Sequence, residues 1–159
     1  MLKFTAPAVI AVITMAACNA AVAQQALDFD GTAASSCALT NPVNGTIALQ
    51  TDLRSWATGS PASIVVTNTS AGTYDLSITH GETWTSAPTG TPATTTFAHS
   101  QSITGANQNA VFSTTGPATS TNLAAAGEDN VQISLTASSP DPYRAGPHKA
   151  TVTVTCAAN

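Results

Sequence analysis

The sequence predicts an all-β protein, an antiparallel β-sandwich of immunoglobulin-like type preceded by a helical signal peptide. Three observations carry this reading. Short β-branched runs recur between turn signals, no segment of the mature chain has the i, i+3, i+4, i+7 apolar spacing of an amphipathic helix, and two cysteines near its ends each fall on the apolar side of a strand.

The chain opens Met1-Leu2-Lys3, runs apolar from Phe4 to Ala17, and reaches Ala21-Val22-Ala23 before Gln24. A basic start, a short apolar centre and small residues two apart have the form of a secretory signal peptide. The apolar stretch contains Pro7 and is shorter than the roughly 18 to 20 residues a bilayer span requires, so no transmembrane anchor is expected after cleavage. Met15-Ala16-Ala17-Cys18 is similar to a lipobox and offers the alternative processing, with a lipid anchor at Cys18; Ala-Val-Ala is the expected site. The organisation is then a signal peptide over 1–23, an N-terminal extension over 24–36 and a β-sandwich over 37–159, exported to the periplasm, cell surface or medium.

Within the domain the clearest strands are Ala62 to Asn68, Thr73 to Thr79, Asn130 to Ala137 and Lys149 to Cys156. Tyr74, Leu76 and Ile78 alternate with Asp75, Ser77 and Thr79, and Val131, Ile133 and Leu135 with Gln132, Ser134 and Thr136, which leaves one face buried and one wet. Phase then predicts one core of Ile64, Val66, Leu76, Ile78, Val131, Ile133, Leu135, Val152 and Val154. Weaker strands are expected at Leu27 to Asp30, Cys37 to Thr40, Thr46 to Gln50, Thr94 to Ala98 and Asn109 to Ser113, separated by turn residues such as Asn44-Gly45, Gly59-Ser60-Pro61 and Ala71-Gly72. Thr85 to Thr96 and Thr114 to Ala126, rich in Thr, Ala, Ser, Pro and Gly, are expected as long loops.

Cys37 and Cys156 are the cysteines left once Cys18 departs with the signal, and an even pair in an oxidising compartment reads as a disulfide. Cys156 shares its strand face with Ala150, Val152 and Val154, and Cys37 shares its own with Leu39, so both sulfurs point inward. Such a bridge closes a loop of roughly 120 residues, for which chain entropy assigns about 4 to 5 kcal/mol as an upper figure.

Composition and motif content argue against most chemistry. Charged residues make up 8% of the chain, four basic against eight acidic, so no basic surface exists for nucleic acid. His80, His99 and His148 are far apart and in no ligand spacing, and the two that flank turns, His80 and His148, read as solvated. A nucleophile with a base, a phosphate loop and a Gly-x-Ser-x-Gly elbow are absent from the sequence. Asp28-Phe29-Asp30-Gly31 resembles the start of a calcium loop but lacks the bidentate Glu and a third carboxylate, so no metal or cofactor is expected. Glu82 with Glu128 and Asp129 is the only carboxylate set to weigh for glycoside chemistry, and these acids flank turns, where solvation is the rule. The reading is therefore a protein that is not an enzyme. Trp56 and Trp84 are the candidate ligand-contact aromatics, against a structural role as plugs of the core or of a sandwich end.

The closing run Tyr143-x-Ala145-Gly146-x-x-x-Ala150-Thr151-Val152-Thr153-Val154-Thr155, together with the export signal, the early Cys37 and Thr-rich strands, resembles the spore coat protein U group and related chaperone–usher pilins. The resemblance implies an incomplete sandwich filled by an N-terminal strand from the next subunit, with a periplasmic chaperone and self-association or other surface subunits as partners. Leu27, Phe29, Gly31 and Ala33 alternate within the extension and would form that donor strand. Two functions stay open: a secreted structural or adhesive, pilin-like subunit, and a self-contained periplasmic or secreted binding module for carbohydrate.

Overall fold

The computed structural model describes residues 34–159. The signal peptide, Cys18, the Asp28–Gly31 motif, the strand expected at Leu27 to Asp30 and the Leu27, Phe29, Gly31, Ala33 face lie outside the described residues.

Among the described residues the fold is all-β, with ten strands and no helix: β1 (Cys37–Val43), β2 (Thr46–Leu49), β3 (Ser55–Ser60), β4 (Ala62–Asn68), β5 (Tyr74–His80), β6 (Thr96–Gly105), β7 (Ser113–Thr115), β8 (Ala118–Asn122), β9 (Gly127–Ser138) and β10 (Val152–Ala158). All pairings are antiparallel. They make a six-stranded sheet in the order β1-β4-β9-β3-β2 with β6 on β9, and a four-stranded sheet in the order β10-β5-β8-β7. Val66, Ile103, Val131 and Ile133 of the first sheet and Leu76 and Ile78 of the second share one buried cluster with Leu123, the arrangement of a β-sandwich.

The phase argument sets this core. Val131 and Ile133 are buried while Gln132 is exposed, and Val152, Val154 and Cys156 face inward while Thr151, Thr153 and Thr155 are exposed. Leu135 is the expected core residue that does not join the cluster; it is half-buried, for a reason that lies in its partner strand.

β9 is the longest strand and runs unbroken. β6 follows one of its edges from Gly105↔Asp129 to Thr96↔Ser138. On its other edge β4 pairs up to Ala62↔Ile133, and β3 resumes only at Trp56↔Ala137 and Ser55↔Ser138. Between them the partner bends at Gly59-Ser60-Pro61, where proline has no N–H to give the ladder. The ladder of Leu135 is completed by a side chain instead: its N–H donates to the Thr58 hydroxyl at 2.9 Å, and that hydroxyl donates to its carbonyl at 2.9 Å. Gly45 packs against the bend so closely that a Cβ there would lie 2.6 Å from the Ala62 nitrogen and 2.8 Å from the Ser60 carbonyl oxygen, so that position needs a residue without a side chain.

The same bend recurs in the outer ribbon. β1 and β2 track β4 and β3 from Cys37↔Asn68 to Leu49↔Trp56, with irregular register between Thr40 and Val43 and between Thr46 and Ile47. Asn41 adopts a positive φ of 52° there, beside Pro42 on an edge strand that tolerates it. The hairpin joining β2 to β3 is tied by Asp52, whose carboxylate accepts from the Arg54 and Ser55 N–H groups and from the Ser55 hydroxyl. The Arg54 N–H and the Ser55 hydroxyl hold its pKa below the usual carboxylate value.

Three expectations are corrected. Gly59 and Ser60, expected as part of a turn, end a strand, β3, and Thr114 to Ala126, expected as a loop, contains β8 and most of β7. In β8 the buried residues are Thr119 and Thr121, whose hydroxyls disguise a core face as a polar segment. Asn109 to Ser113, expected as strand, is irregular up to Ser113, where β7 begins, while β6 extends the strand expected at Thr94 to Ala98 to Gly105.

Cys37 of β1 and Cys156 of β10, 119 positions apart in sequence, form a disulfide with Cα atoms 6.2 Å apart, linking an edge strand of one sheet to an edge strand of the other. The bridge is compatible with an oxidising compartment, and among the described residues no helix is long and apolar enough to cross a membrane. Replacing both cysteines by serine lowers the unfolding free energy by roughly 3 to 5 kcal/mol. Urea denaturation of the double variant against the oxidised protein reads this directly.

Candidate functional site

Three places collect the residues of interest: a cleft between the sheets, an aromatic cluster at one end, and a pair of histidines across the interior.

The cleft lies where β3 and β4 bend away from β9 and encloses about 650 Å³. Its walls mix apolar side chains, Ile47, Ile133, Leu135 and Val152, with polar ones such as Asn44, Thr58 and Lys149. Among the described residues β10 pairs with β5 on one side and with no strand on the other. A trough of mixed lining thus runs beside a strand edge whose N–H and C=O groups no described strand pairs.

Trp56 and Trp84 meet each other at 5.8 Å and 65°, and both contact Tyr143 and His148. Phe97 stacks edge-on against Trp84 at 4.9 Å. Edge-to-face pairs of this kind add about 0.5 to 1.5 kcal/mol each beyond area burial. They fasten the 81–95 segment, which bridges to Lys149 through Thr85 and Ser86, and the stretch around Tyr143, whose N–H donates to the Leu53 carbonyl. Burial raises the Tyr143 pKa. Both indole N–H groups are buried without an acceptor, and the two rings spend their faces and edges on neighbouring side chains. His148 joins this cluster to the cleft, since it lines the cleft and lies 4.8 Å from the Trp56 ring.

His80, expected to be solvated beside its turn, meets a second histidine instead. His80 at the end of β5 and His99 in β6 place their Nδ1 atoms 2.6 Å apart, and His99 Nε2 lies 2.9 Å from the Thr119 hydroxyl of β8. Along β6 the inward positions are Phe97, His99, Gln101 and Ile103, so two polar residues occupy core phase. Desolvation, and secondarily the charge of His80, depress the His99 pKa.

The acids also fall differently. Asp129, expected in solvent, is fully buried and accepts from the Asn107 N–H and side-chain amide, both at 2.7 Å. Asn107 and Asn68 in turn donate to the Ala125 carbonyl, which ties the 123–126 loop down. Glu128 is exposed beside it. Glu82 follows the far end of β5, a strand of about 20 Å, so the carboxylates weighed for glycoside chemistry are not brought together. The phase of Val131 and Ile133 extends back to Asp129, which was the available signal; nothing in the sequence announces Asn107.

Comparisons with protein-family models, with curated proteins and with solved structures return no match for this chain.

Asp129→Ala leaves the Asn107 donors without their acceptor and costs about 3 kcal/mol, readable as a lower urea midpoint. A second expectation concerns pH. Because the folded protein holds His99 below its ordinary 6.5, the unfolded chain binds the proton more readily, and stability falls as pH drops through 6.5 towards the depressed folded value. His80 from β5 and Glu82 on the wall of the adjacent cleft are the titratable groups on that side. Urea midpoints at pH 7.5 and pH 5 differ in the wild type and converge in His99→Gln.

Proposed function

We propose that this chain is an exported structural or adhesive subunit, built on an immunoglobulin-like sandwich and assembled by donation of an N-terminal strand from one copy to the next. The observation that carries the reading is the cleft at the bend of β3 and β4, a trough with Ile47, Ile133, Leu135 and Val152 among its walls, beside an edge of β10 that no described strand pairs. A β-strand of alternating apolar residues suits it, because main-chain bonds satisfy the edge while every second side chain enters the trough. Leu27 and Phe29, followed by Gly31 and Ala33, supply that alternation, two large anchors ahead of two small residues. Each anchor contributes roughly 1.5 to 3 kcal/mol on full burial.

The remaining features fit the same role. The signal peptide form of 1–23 places such a subunit outside the cytoplasm, where the Cys37–Cys156 bridge is stable and a periplasmic chaperone would cover the cleft before assembly. A carbohydrate-binding module is less well supported, since Trp56 and Trp84 pack on each other, on Tyr143 and on His148 rather than offering open ring faces.

Size-exclusion chromatography over a concentration series tests the reading. The mature protein forms oligomers, Phe29→Asp reduces it to monomer with the disulfide intact, and deletion of 24–33 has the same effect. A strictly monomeric protein indifferent to that deletion overturns the proposal in favour of the self-contained binding module.

A further inference from the structure

We infer that the open edge of β6 is a second interface, separate from the cleft: it pairs with the β6 edge of another copy of this chain, antiparallel, about a twofold axis at Ser100. Among the described residues β6 pairs with β9 alone. It is ten residues long, keeps its register without a break from Thr96↔Ser138 to Gly105↔Asp129, and contains no proline and no Asp, Glu, Lys or Arg. The other outer strands are guarded. β1 has Pro42 and a shift of register between Thr40 and Val43, β2 is four residues long and shifts between Thr46 and Ile47, and β7 is three residues long; β10 borders the cleft. Short strands, prolines, charges and bulges are the devices that keep sheet edges from pairing with other chains, and β6 has none of them.

Two contacts fix which backbone groups of β6 face outward. The N–H and carbonyl of Leu135 turn to the Thr58 hydroxyl, away from β6, and the Ala106 N–H donates to the Glu128 carbonyl just past the end of the ladder. In an antiparallel ladder, residues alternate between bonding to the partner strand and pointing away from it. Both contacts give the same phase: even-numbered residues of β6 bond to β9, while Phe97, His99, Gln101 and Ile103 present their N–H and carbonyl groups to the open side. No described residue bonds to these groups.

The strand's own sequence selects the partner. Outward from Ser100 it is close to a palindrome, in which Gln101 answers His99, Ser102 answers Ala98, Ile103 answers Phe97 and Thr104 answers Thr96. A twofold axis sets each residue opposite the one at equal distance on the other side, so large apolar meets large apolar, small meets small, and Thr96 meets Thr104 in a cross-strand pair of the stabilising kind. The residues with open backbone groups then face one another, and the donors of each copy meet acceptors of the other. Thr96, Ala98, Ser100, Ser102 and Thr104 are exposed, and residues 130–138 of β9 beside them also bring no charged side chain to the joined face. A chain of net charge −4 thus meets no like charge across this seam. One strand edge with small side chains buries less than the roughly 1,200 Å² of a stable complex, so the pair dissociates on dilution and strengthens where copies are already linked.

The mature chain carrying Phe29→Asp, which removes an anchor of the assembly strand, tests this edge by itself. Concentrated and mildly oxidised, its Ser100→Cys variant forms a covalent dimer, because facing Cβ atoms of such a pair lie about 4.5 to 5.5 Å apart, close to disulfide reach. Ser102→Cys, which faces Ala98, cross-links at least tenfold more slowly, and a mixture of Ala98→Cys and Ser102→Cys chains gives the mixed dimer in preference to either homodimer. Without added cysteine, amide exchange at Phe97, His99, Gln101 and Ile103 slows as concentration rises, and Ser100→Lys, which sets two like charges face to face, abolishes the slowing. No cross-linking at Ser100, equal cross-linking at Ser100 and Ser102, or slowing centred on β10 instead of β6 overturns the proposal. Loss of oligomers on Phe29→Asp bears on the cleft and trapping at Ser100 on this edge, so the two readings fail separately.

Discussion

The alternation along β9 holds the sandwich together. Asp129, Val131, Ile133 and Ala137 all point into the interior from this one strand, and a slip of one residue would expose the whole set and bury Gln132 in its place. β6, β4 and β3 all take their register from it. Because β9 runs straight through while its partner bends at Gly59 to Pro61, the ladder is interrupted opposite Leu135, and the Thr58 hydroxyl completes the local bonding. The cleft is a geometric consequence of that mismatch: Leu135 keeps its hydrogen bonds but does not join the buried cluster.

A chain with so few charges must keep its surface wet and its interior dry largely with threonine, serine and asparagine. Threonine serves both places. Thr151, Thr153 and Thr155 face solvent, whereas Thr119 and Thr121 face the core and Thr58 replaces a stretch of backbone pairing. Buried polar groups cost free energy unless bonded, and the pairs found here comply: Thr119 with His99, His99 with His80, Asp129 with Asn107. The interior therefore has an apolar half around Leu76, Ile78, Val131 and Leu123 and a hydrogen-bonded half where β6 meets β5 and β8. The disulfide reinforces this modest core by tying edge strand to edge strand.

The sequence by itself determined what depends on local period and on compartment chemistry. Apolar residues at every second position in β4, β5, β9 and β10 dictate strands and their buried face, since burial follows directly from phase. The inward phase of Cys37 and Cys156 made their pairing legible although the chain between them is long. Only the tertiary structure decided the rest, and in each case the reason is that a polar residue stands where an apolar one would have signalled burial. β8 hides behind Thr119 and Thr121, β6 behind His99 and Gln101, and Asp129 behind its own charge. For Asp129 and His99 burial is made tolerable by partners 22 and 19 residues away, Asn107 and His80, whereas the buried Gln101 Oε1 has no partner among the described residues. A hydrogen bond of that kind has no period. It exists only once two sheets bring its ends together.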